Sequence, residues 1–268
     1  MSPLPPFTSR PTTLHDLGGG VFTLEQPCGF LASGIGQPFP DKALAALTVP
    51  GYNVQRCTVV RLLNGGLWVH APVAPTKQAL EMLTSLGGEV QHVVIPCTAP
   101  ECWYYATEPT PSFVDAFPNA TVHAAPSVLF SEEGYIPFAK DVRTPAIERL
   151  KRTRAPAVIG TGDGWGLGGQ EILSYAWDAG PLYSEVAFLH RKTRTLIVSD
   201  SLVGSGEGQL TSPVVRGVVR RRRAAAEDWV ETMCTRGGFN RVVTTRGALA
   251  PVAATPAQVR DAILGSGG

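Results

Sequence analysis

The sequence predicts an α/β protein in which two packed β-sheets are flanked by helices. Three observations support this class. Short apolar runs bounded by turn residues recur along the 268-residue chain, and 29 glycines and 23 prolines favour strands and turns over a helical bundle. The predicted strands arrive in hairpins that are interrupted by single helices. The length is sufficient for one large domain with a sizeable core.

The first half of the chain alternates strands with single helices. Val21–Glu25 alternates apolar and polar residues, as a strand with one buried face does. Asn64-Gly65 is a strong hairpin signal, and Thr76 is placed to cap a helix that ends at Gly87-Gly88. The predicted elements are the hairpin Gln55–Leu63 and Gly66–His70, the helix Lys77–Leu86, the strand Val90–Ile95, the helix Pro111–Phe117 and the strand Thr121–Ala124.

The second half repeats this alternation. Its predicted elements are the strands Glu171–Trp177, Glu185–His190 and Thr195–Ser199, the charged turn Arg191–Arg194, one long helix Val214–Arg236, the strand Arg241–Thr245 and a final helix from Thr255-Pro256 to Leu264. Val90–Ile95 is a near-continuous apolar run, and both it and Thr195–Ser199 are short and rich in apolar, β-branched residues, so we expect them to be adjacent and central. Residues 1–19 predict a flexible arm, and residues 20–268 a single domain.

The composition limits the kinds of binding partner and the cellular compartment that we expect. The formal net charge of +1 favours neither nucleic acid nor a strongly acidic partner. Five cysteines do not form a disulfide framework, which predicts a reducing intracellular compartment, cytoplasmic rather than organellar. No apolar run reaches the ~18 residues of a membrane span. The expected partner is a small molecule or a protein.

Three segments carry a resemblance to a known family. They are His92-Val-Val-Ile-Pro-Cys-Thr-Ala-Pro-Glu-Cys102, Trp68-Val-His-Ala-Pro-Val73 and Thr195-Leu-Ile-Val-Ser-Asp200. Together with the order of elements, they resemble the metallo-β-lactamase-like proteins of an uncharacterised family known only as a domain of unknown function. The resemblance spans Val21 to about Leu264, and it implies a four-layer αββα sandwich.

The resemblance also implies that the usual metal site is degenerate. Where that fold carries a His-x-His-x-Asp-His loop, this chain has Cys97, Ala99, Glu101 and Cys102, and the Asp expected after the early strand is His70. The later metal-binding histidines align with Trp177-Asp178 and with Arg246-Gly247. Asp200 alone matches. No cofactor is therefore expected, although zinc is possible at Cys97, Glu101, Cys102 and Asp200, which are chemically capable ligands.

Three functions remain open on the sequence. The first is a non-hydrolytic binding or scaffolding domain, in which Asp200 accepts backbone hydrogen bonds or pairs with Arg246, and Trp177 and Asp178 are candidate ligand-binding residues. The second is a hydrolase with a non-standard metal or thiol site, using Cys97, Glu101, Cys102 and Asp200, with His70 available as a base for Cys97. The third is an anion-binding protein that uses Arg246 and the arginine run Arg220–Arg223.

Two further groups of residues have a functional and a structural interpretation. The arginine run could bind an anion, or it could be a solvated helix face balanced by Glu227, Asp228 and Glu231. Five aromatic residues are expected near the strand ends, where they could wall a cleft or belong to the core. They are Trp68, Trp103, Tyr104, Tyr105 and Trp177.

Overall fold

A computed structural model of the protein describes residues 11–27, 54–107, 111–130, 140–180, 183–205, 208–212, 215–247 and 251–265. Within these residues the chain forms two large sheets and one small one. The first large sheet has seven strands in chain order. They are β1 (Thr13–Asp16), β2 (Val21–Pro27), β3 (Val54–Arg61), β4 (Leu67–His70), β5 (Val90–Ile95), β6 (Thr121–Ala124) and β7 (Ala157–Val158).

The first sheet changes from antiparallel to parallel at β4. Strands β1 to β4 pair antiparallel. Strands β4 to β7 pair parallel, which requires a crossover between consecutive strands. The carboxyl ends of β4, β5 and β6 therefore meet at one edge of the sheet.

The second large sheet has six strands in the order β15-β14-β11-β10-β9-β8. They are β8 (Gly164–Trp165), β9 (Ile172–Asp178), β10 (Ser184–His190), β11 (Thr195–Val198), β14 (Arg241–Thr244) and β15 (Val252–Ala253). β11 and β14 pair parallel, so the residues after both strands emerge side by side. A separate hairpin consists of β12 (Val203–Gly204) and β13 (Leu210–Thr211).

Helices cover the outer faces of both sheets, which completes the four-layer αββα sandwich. Those that follow first-sheet strands are α1 (Lys77–Ser85), α2 (Pro100–Thr107), α3 (Phe113–Ala116), α4 (Pro126–Phe130) and α5 (Lys140–Arg154). Those that cover the second sheet are α6 (Arg216–Arg221), α7 (Arg223–Gly237) and α8 (Pro256–Leu264). Every helix in the described ranges is too short or too polar to cross a bilayer.

The middle of strand β10 is continuously apolar because both of its faces are covered. Val186 and Phe188 belong to the core that also contains first-sheet residues, whereas Ala187 and Leu189 pack with residues of α6 and α7. Successive side chains of a strand point to opposite faces. A strand that is covered on both faces is therefore apolar at every position, apart from the buried polar groups at its ends.

Three expectations from the sequence are corrected here. Val90–Ile95 and Thr195–Ser199 are interior strands, but they lie in different sheets and are not neighbours. The helix expected over Val214–Arg236 is broken at Arg222, whose backbone is non-helical at φ −127° and ψ 44°. Thr13–Asp16 is not part of a flexible arm. It pairs with β2 as the edge strand of the first sheet, where the exposed edge of β2 offers N–H and C=O groups for hydrogen bonding. Residues 1–10 lie outside the described ranges.

Candidate functional site

The loop after β5 is hydrogen-bonded to the beginning of β10. Val186 N donates to Pro96 O at 2.8 Å, and Thr98 N donates to Ser184 O at 3.1 Å. Cys97 and Glu185 form an isolated antiparallel bridge between these two pairs. The loop that carries metal-binding histidines in the resembled fold is thereby fixed to the second sheet, with Cys97 beside Glu185.

Cys97 and Cys102 form a close pair of buried sulfurs. Cys97 Sγ donates to Cys102 Sγ at 2.8 Å, and both residues are fully buried. The first turn of α2 positions Cys102, whose backbone N–H donates to Ala99 O at 3.0 Å. Burial raises the pKa of Cys97 well above its ordinary value, and the neighbouring Cys102, Asp200 and Glu185 raise it further. The Cys97 sulfur is consequently held as a neutral thiol.

Glu185 is a buried carboxyl that is surrounded by donors. It accepts hydrogen bonds from Ser199 N at 2.8 Å, Ser201 N at 2.8 Å and Ser201 Oγ at 2.7 Å, and also from the Tyr183 hydroxyl. Burial raises the pKa of Glu185 to about 7, opposed by these donors and assisted by the charge of Asp200. Sequence reasoning placed Glu185 only at a strand start; its signal was a single acidic residue that begins an otherwise apolar strand.

Asp200 and Arg246 form a buried ion pair, which is one of the two arrangements expected for Asp200 from the sequence. Arg246 Nε lies 2.9 Å from Asp200 Oδ1, and the two side chains are only 1% and 3% exposed. Asp200 follows β11 and Arg246 follows β14, so the parallel pairing of these strands brings the two residues together. We refer to Cys97, Cys102, Glu185, Asp200 and Arg246 as the buried polar centre.

A second buried arginine, Arg56 on β3, supports this centre from the first sheet. Its Nε lies 2.6 Å from Glu25 Oε1. Its other nitrogens donate to Thr244 O at 2.7 Å and to Gly247 O at 3.1 Å. Arg56 therefore holds the backbone on both sides of Arg246. Sequence reasoning missed this residue, because all of these partners are distant in the chain.

His70 does not pair with Cys97. It is fully buried, and its ring stacks on Trp68 with centroids 5.7 Å apart and meets the edge of Phe188 at 5.4 Å. Neither ring nitrogen has a hydrogen-bond partner among the described residues. Burial lowers the pKa of His70 to about 3. The proposed thiol–histidine pair is therefore wrong: this side chain faces the core between the sheets, two residues beyond Trp68 and so on the same face of the strand.

The aromatic residues do not form one cleft. Trp68 and Trp103 pack in the core cluster of the first sheet, whereas Trp177 packs with the residues under α7 and stacks on Trp229 with centroids 5.2 Å apart. Tyr105 is buried, and the side chains of Tyr104 and Glu101 lie outside the described part of the chain. Asp178 Oδ1 accepts from Ser127 Oγ and from Gly180 N, each at 2.9 Å, so it closes a turn.

The groups of the buried polar centre do not fit the zinc ion that the fold implies. Among the described residues, no group of three or more His, Cys, Asp or Glu side chains could hold a metal ion. Asp200 has a guanidinium as its neighbour, and Glu185 is filled by four hydrogen bonds. Zinc requires unoccupied ligand atoms that converge on one point.

The fold is that of the metallo-β-lactamases. A family model described as "Domain of unknown function (DUF4336)" matches residues 44–153. The DIM-1 metallo-β-lactamase superposes with a TM-score of 0.56 at 11% identity, over 95% of this chain and 98% of that chain. A metallo-β-lactamase from Pontibacter korlensis gives the same values. A putative diflavin flavoprotein fragment from Nostoc gives a TM-score of 0.52 at 12% identity, over 95% and 96%. No curated protein matches significantly.

Proposed function

We propose that this chain is a non-hydrolytic binding or scaffolding domain built on the metallo-β-lactamase fold. The observation that carries the proposal is the Asp200–Arg246 ion pair, in which a guanidinium lies 2.9 Å from the one carboxylate that matches the family's metal-binding Asp. A fixed positive charge at this distance opposes a divalent cation, and it does so strongly because both groups are removed from solvent. The charge of Asp200 is balanced without a metal ion.

The remaining groups of the buried polar centre support the same interpretation. Their hydrogen bonds link loops of both sheets, since Glu185 holds Ser199 and Ser201 while the Cys97 loop pairs with β10. The alternative, a hydrolase acting through the Cys97 thiol, requires a thiolate that a substrate can reach. Cys97 is fully buried, and its pKa is raised rather than lowered.

Metal analysis tests the proposal directly. We expect protein purified without chelators to contain far less than one zinc per chain, and its thermal midpoint to be unchanged when zinc is added. Two variants make the test specific: Cys97→Ser/Cys102→Ser removes the thiols of the centre, and Cys57→Ser removes a buried thiol elsewhere. Stoichiometric zinc that is lost in the first variant and retained in the second would overturn the proposal and favour the hydrolase.

A further inference from the structure

The break between α6 and α7 displays a dense group of arginines. Five arginines lie within residues 216–223, and no acidic residue occurs between Glu207 and Glu227. We define the arginine surface as Arg216, Arg220, Arg221 and Arg222, all of which are exposed. Arg246 does not belong to it, because that side chain is buried against Asp200. The structure therefore separates the buried Arg246 from the exposed arginines with which the sequence grouped it as one anion site.

The arginine surface lacks the acidic partners that the sequence offers. Arg223 pairs with Glu227 at 2.7 Å, and Glu231 accepts from Thr235 Oγ1 at 3.0 Å. The four arginines of the surface make no ion pair within the part of the chain that the structure describes. On a simple solvated helix, Glu227, Asp228 and Glu231 would balance the charge of the whole arginine run. Among the described residues, such an ion pair is limited to Arg223 with Glu227.

The placement of these arginines is unfavourable for the isolated protein. Arg216 and Arg220 are spaced i,i+4 on α6, so they lie on one face and repel each other. Arg222 occupies the cap position of α7 without a side-chain cap, where the positive end of the helix dipole disfavours another cation. Arg222 Nη2 lies against the Gly180 turn, 3.9 Å from where a Cβ on Gly180 would be. Four like charges are thus gathered within residues 216–222, and the Arg222 guanidinium lies beside the Gly180 turn.

We infer that the arginine surface binds a soluble ligand with two or more adjacent phosphate groups. Guanidinium groups match phosphate oxygens in bidentate geometry, and an anion between the arginines relieves their mutual repulsion. The surface spans roughly 10 Å of helix, the size of a short phosphate chain. This inference deepens the proposed binding role and rests on it.

The neighbouring residues favour a small ligand over nucleic acid or a membrane. Apart from Arg223, the exposed residues that flank these arginines within the described part of the chain are Gly217, Ala224 and Ala225. They provide no aromatic ring on which a base could stack, and no large apolar side chain that could enter a lipid layer. The phosphate groups alone are the recognised chemistry.

Calorimetric titration with inorganic tripolyphosphate tests the inference on the full chain. We expect saturable binding that weakens as salt is raised. Replacing all four arginines (Arg216→Gln, Arg220→Gln, Arg221→Gln and Arg222→Gln) should weaken binding on the order of 100-fold, since each exposed contact contributes about 2- to 5-fold. A charge-matched control removes four basic side chains elsewhere (Lys77→Gln, Arg152→Gln, Lys192→Gln and Arg260→Gln), and it should bind within about 2-fold of the wild-type chain.

Three outcomes would overturn the inference: no binding to the wild-type chain at low salt, unchanged binding in the four-arginine variant, or equal loss in the charge-matched control. Replacing the same four arginines by lysine keeps the charge, removes the planar fork and guards against a folding defect; it should weaken binding several-fold. Equal binding by this lysine variant would also count against guanidinium recognition. Phosphate release from tripolyphosphate would contradict the proposed non-hydrolytic role, and it would leave the binding result intact.

Discussion

Asp200 and Arg246 are both removed from solvent, and each lies against the opposite charge of the other. We expect Asp200→Ala or Arg246→Ala to lower the free energy of unfolding by about 3–5 kcal/mol, because the remaining buried charge would lose this counter-charge. Urea unfolding measures this loss. Lys77→Ala, at the exposed Lys77–Glu81 pair, is the control, and its cost should stay below about 1 kcal/mol.

The double variant Asp200→Leu/Arg246→Met separates a charge effect from a packing effect. Replacing a buried pair by apolar groups of similar volume is often neutral, so this variant should be more stable than either single variant. A double variant that is less stable than both would show that packing, rather than charge compensation, explains the losses.

Glu185 is expected to make stability depend on pH. Its pKa rises from 4.5 to about 7 on folding, so between these values the folded state holds a proton that the unfolded state has released. The stabilisation is complete below about pH 4.5 and is lost as the pH rises through about 7. The difference in unfolding free energy between the wild-type chain and Glu185→Gln should therefore change across this window. A constant difference for Glu185→Gln would contradict the assignment.

At the scale of elements, the end of β14 is held by a contact that allows no side chain. Gly247 has φ +107°, and a Cβ there would lie 2.4 Å from Gly204 O on β12. We expect Gly247→Ala to be destabilised both by backbone strain, about 1–3 kcal/mol, and by this steric clash. Gly208→Ala is the matched control, because its φ is +75° and no atom of the described residues lies within 4 Å of the added atom.

Thermal unfolding of both glycine variants checks this prediction. Gly247→Ala should show the larger decrease in midpoint, and equal decreases would mean that β12 moves away without cost. The comparison isolates the approach of β12 to the residue beside Arg246, since positive φ is common to both positions.

The local sequence pattern was sufficient to predict most helices and strands. It was insufficient for the elements that depend on distant partners. The hairpin at Asn64-Gly65 and the helix capped by Thr76 follow from neighbouring residues, and both are confirmed. The break at Arg222 is different. The buried residues on either side, Val218 and Val219 in α6 and Trp229 and Val230 in α7, keep the spacing of one continuous helix, so the apolar pattern contains no signal for the break.

The buried polar centre was predicted only in part, because its residues also depend on partners that are distant in the sequence. Asp200 and Arg246 were paired through the family resemblance, which aligns the ends of two strands. Glu185 and Arg56 were missed, because hydrogen bonds from Ser199 and Ser201 and the acceptors Thr244 and Gly247 come from other strands and loops. The chemistry of a buried charge is set by partners that sequence patterns do not identify.

At the scale of the whole molecule, buried histidines are expected to limit stability in acid. Burial lowers the pKa of His70 to about 3 and those of His123 and His190 to about 4. Below pH 6.5 the unfolded chain gains protons that the folded chain cannot accept, so stability decreases as the pH falls from about 6.5 toward 4. His123→Gln should reduce the proton uptake on unfolding at pH 5 by about one, as measured from the pH dependence of urea unfolding. An unchanged uptake in His123→Gln would contradict this assignment.

Arg56 also has a consequence for how the chain is made. Its side chain donates to carbonyls that lie 188 and 191 positions later in the sequence. During synthesis the first sheet leaves the ribosome long before these acceptors exist, so these two donor groups of Arg56 must stay hydrated until β14 arrives. Contacts of such long range slow folding. Until β14 joins the second sheet, the inner face of the first sheet is incompletely covered, which makes this interval a time of exposure to aggregation.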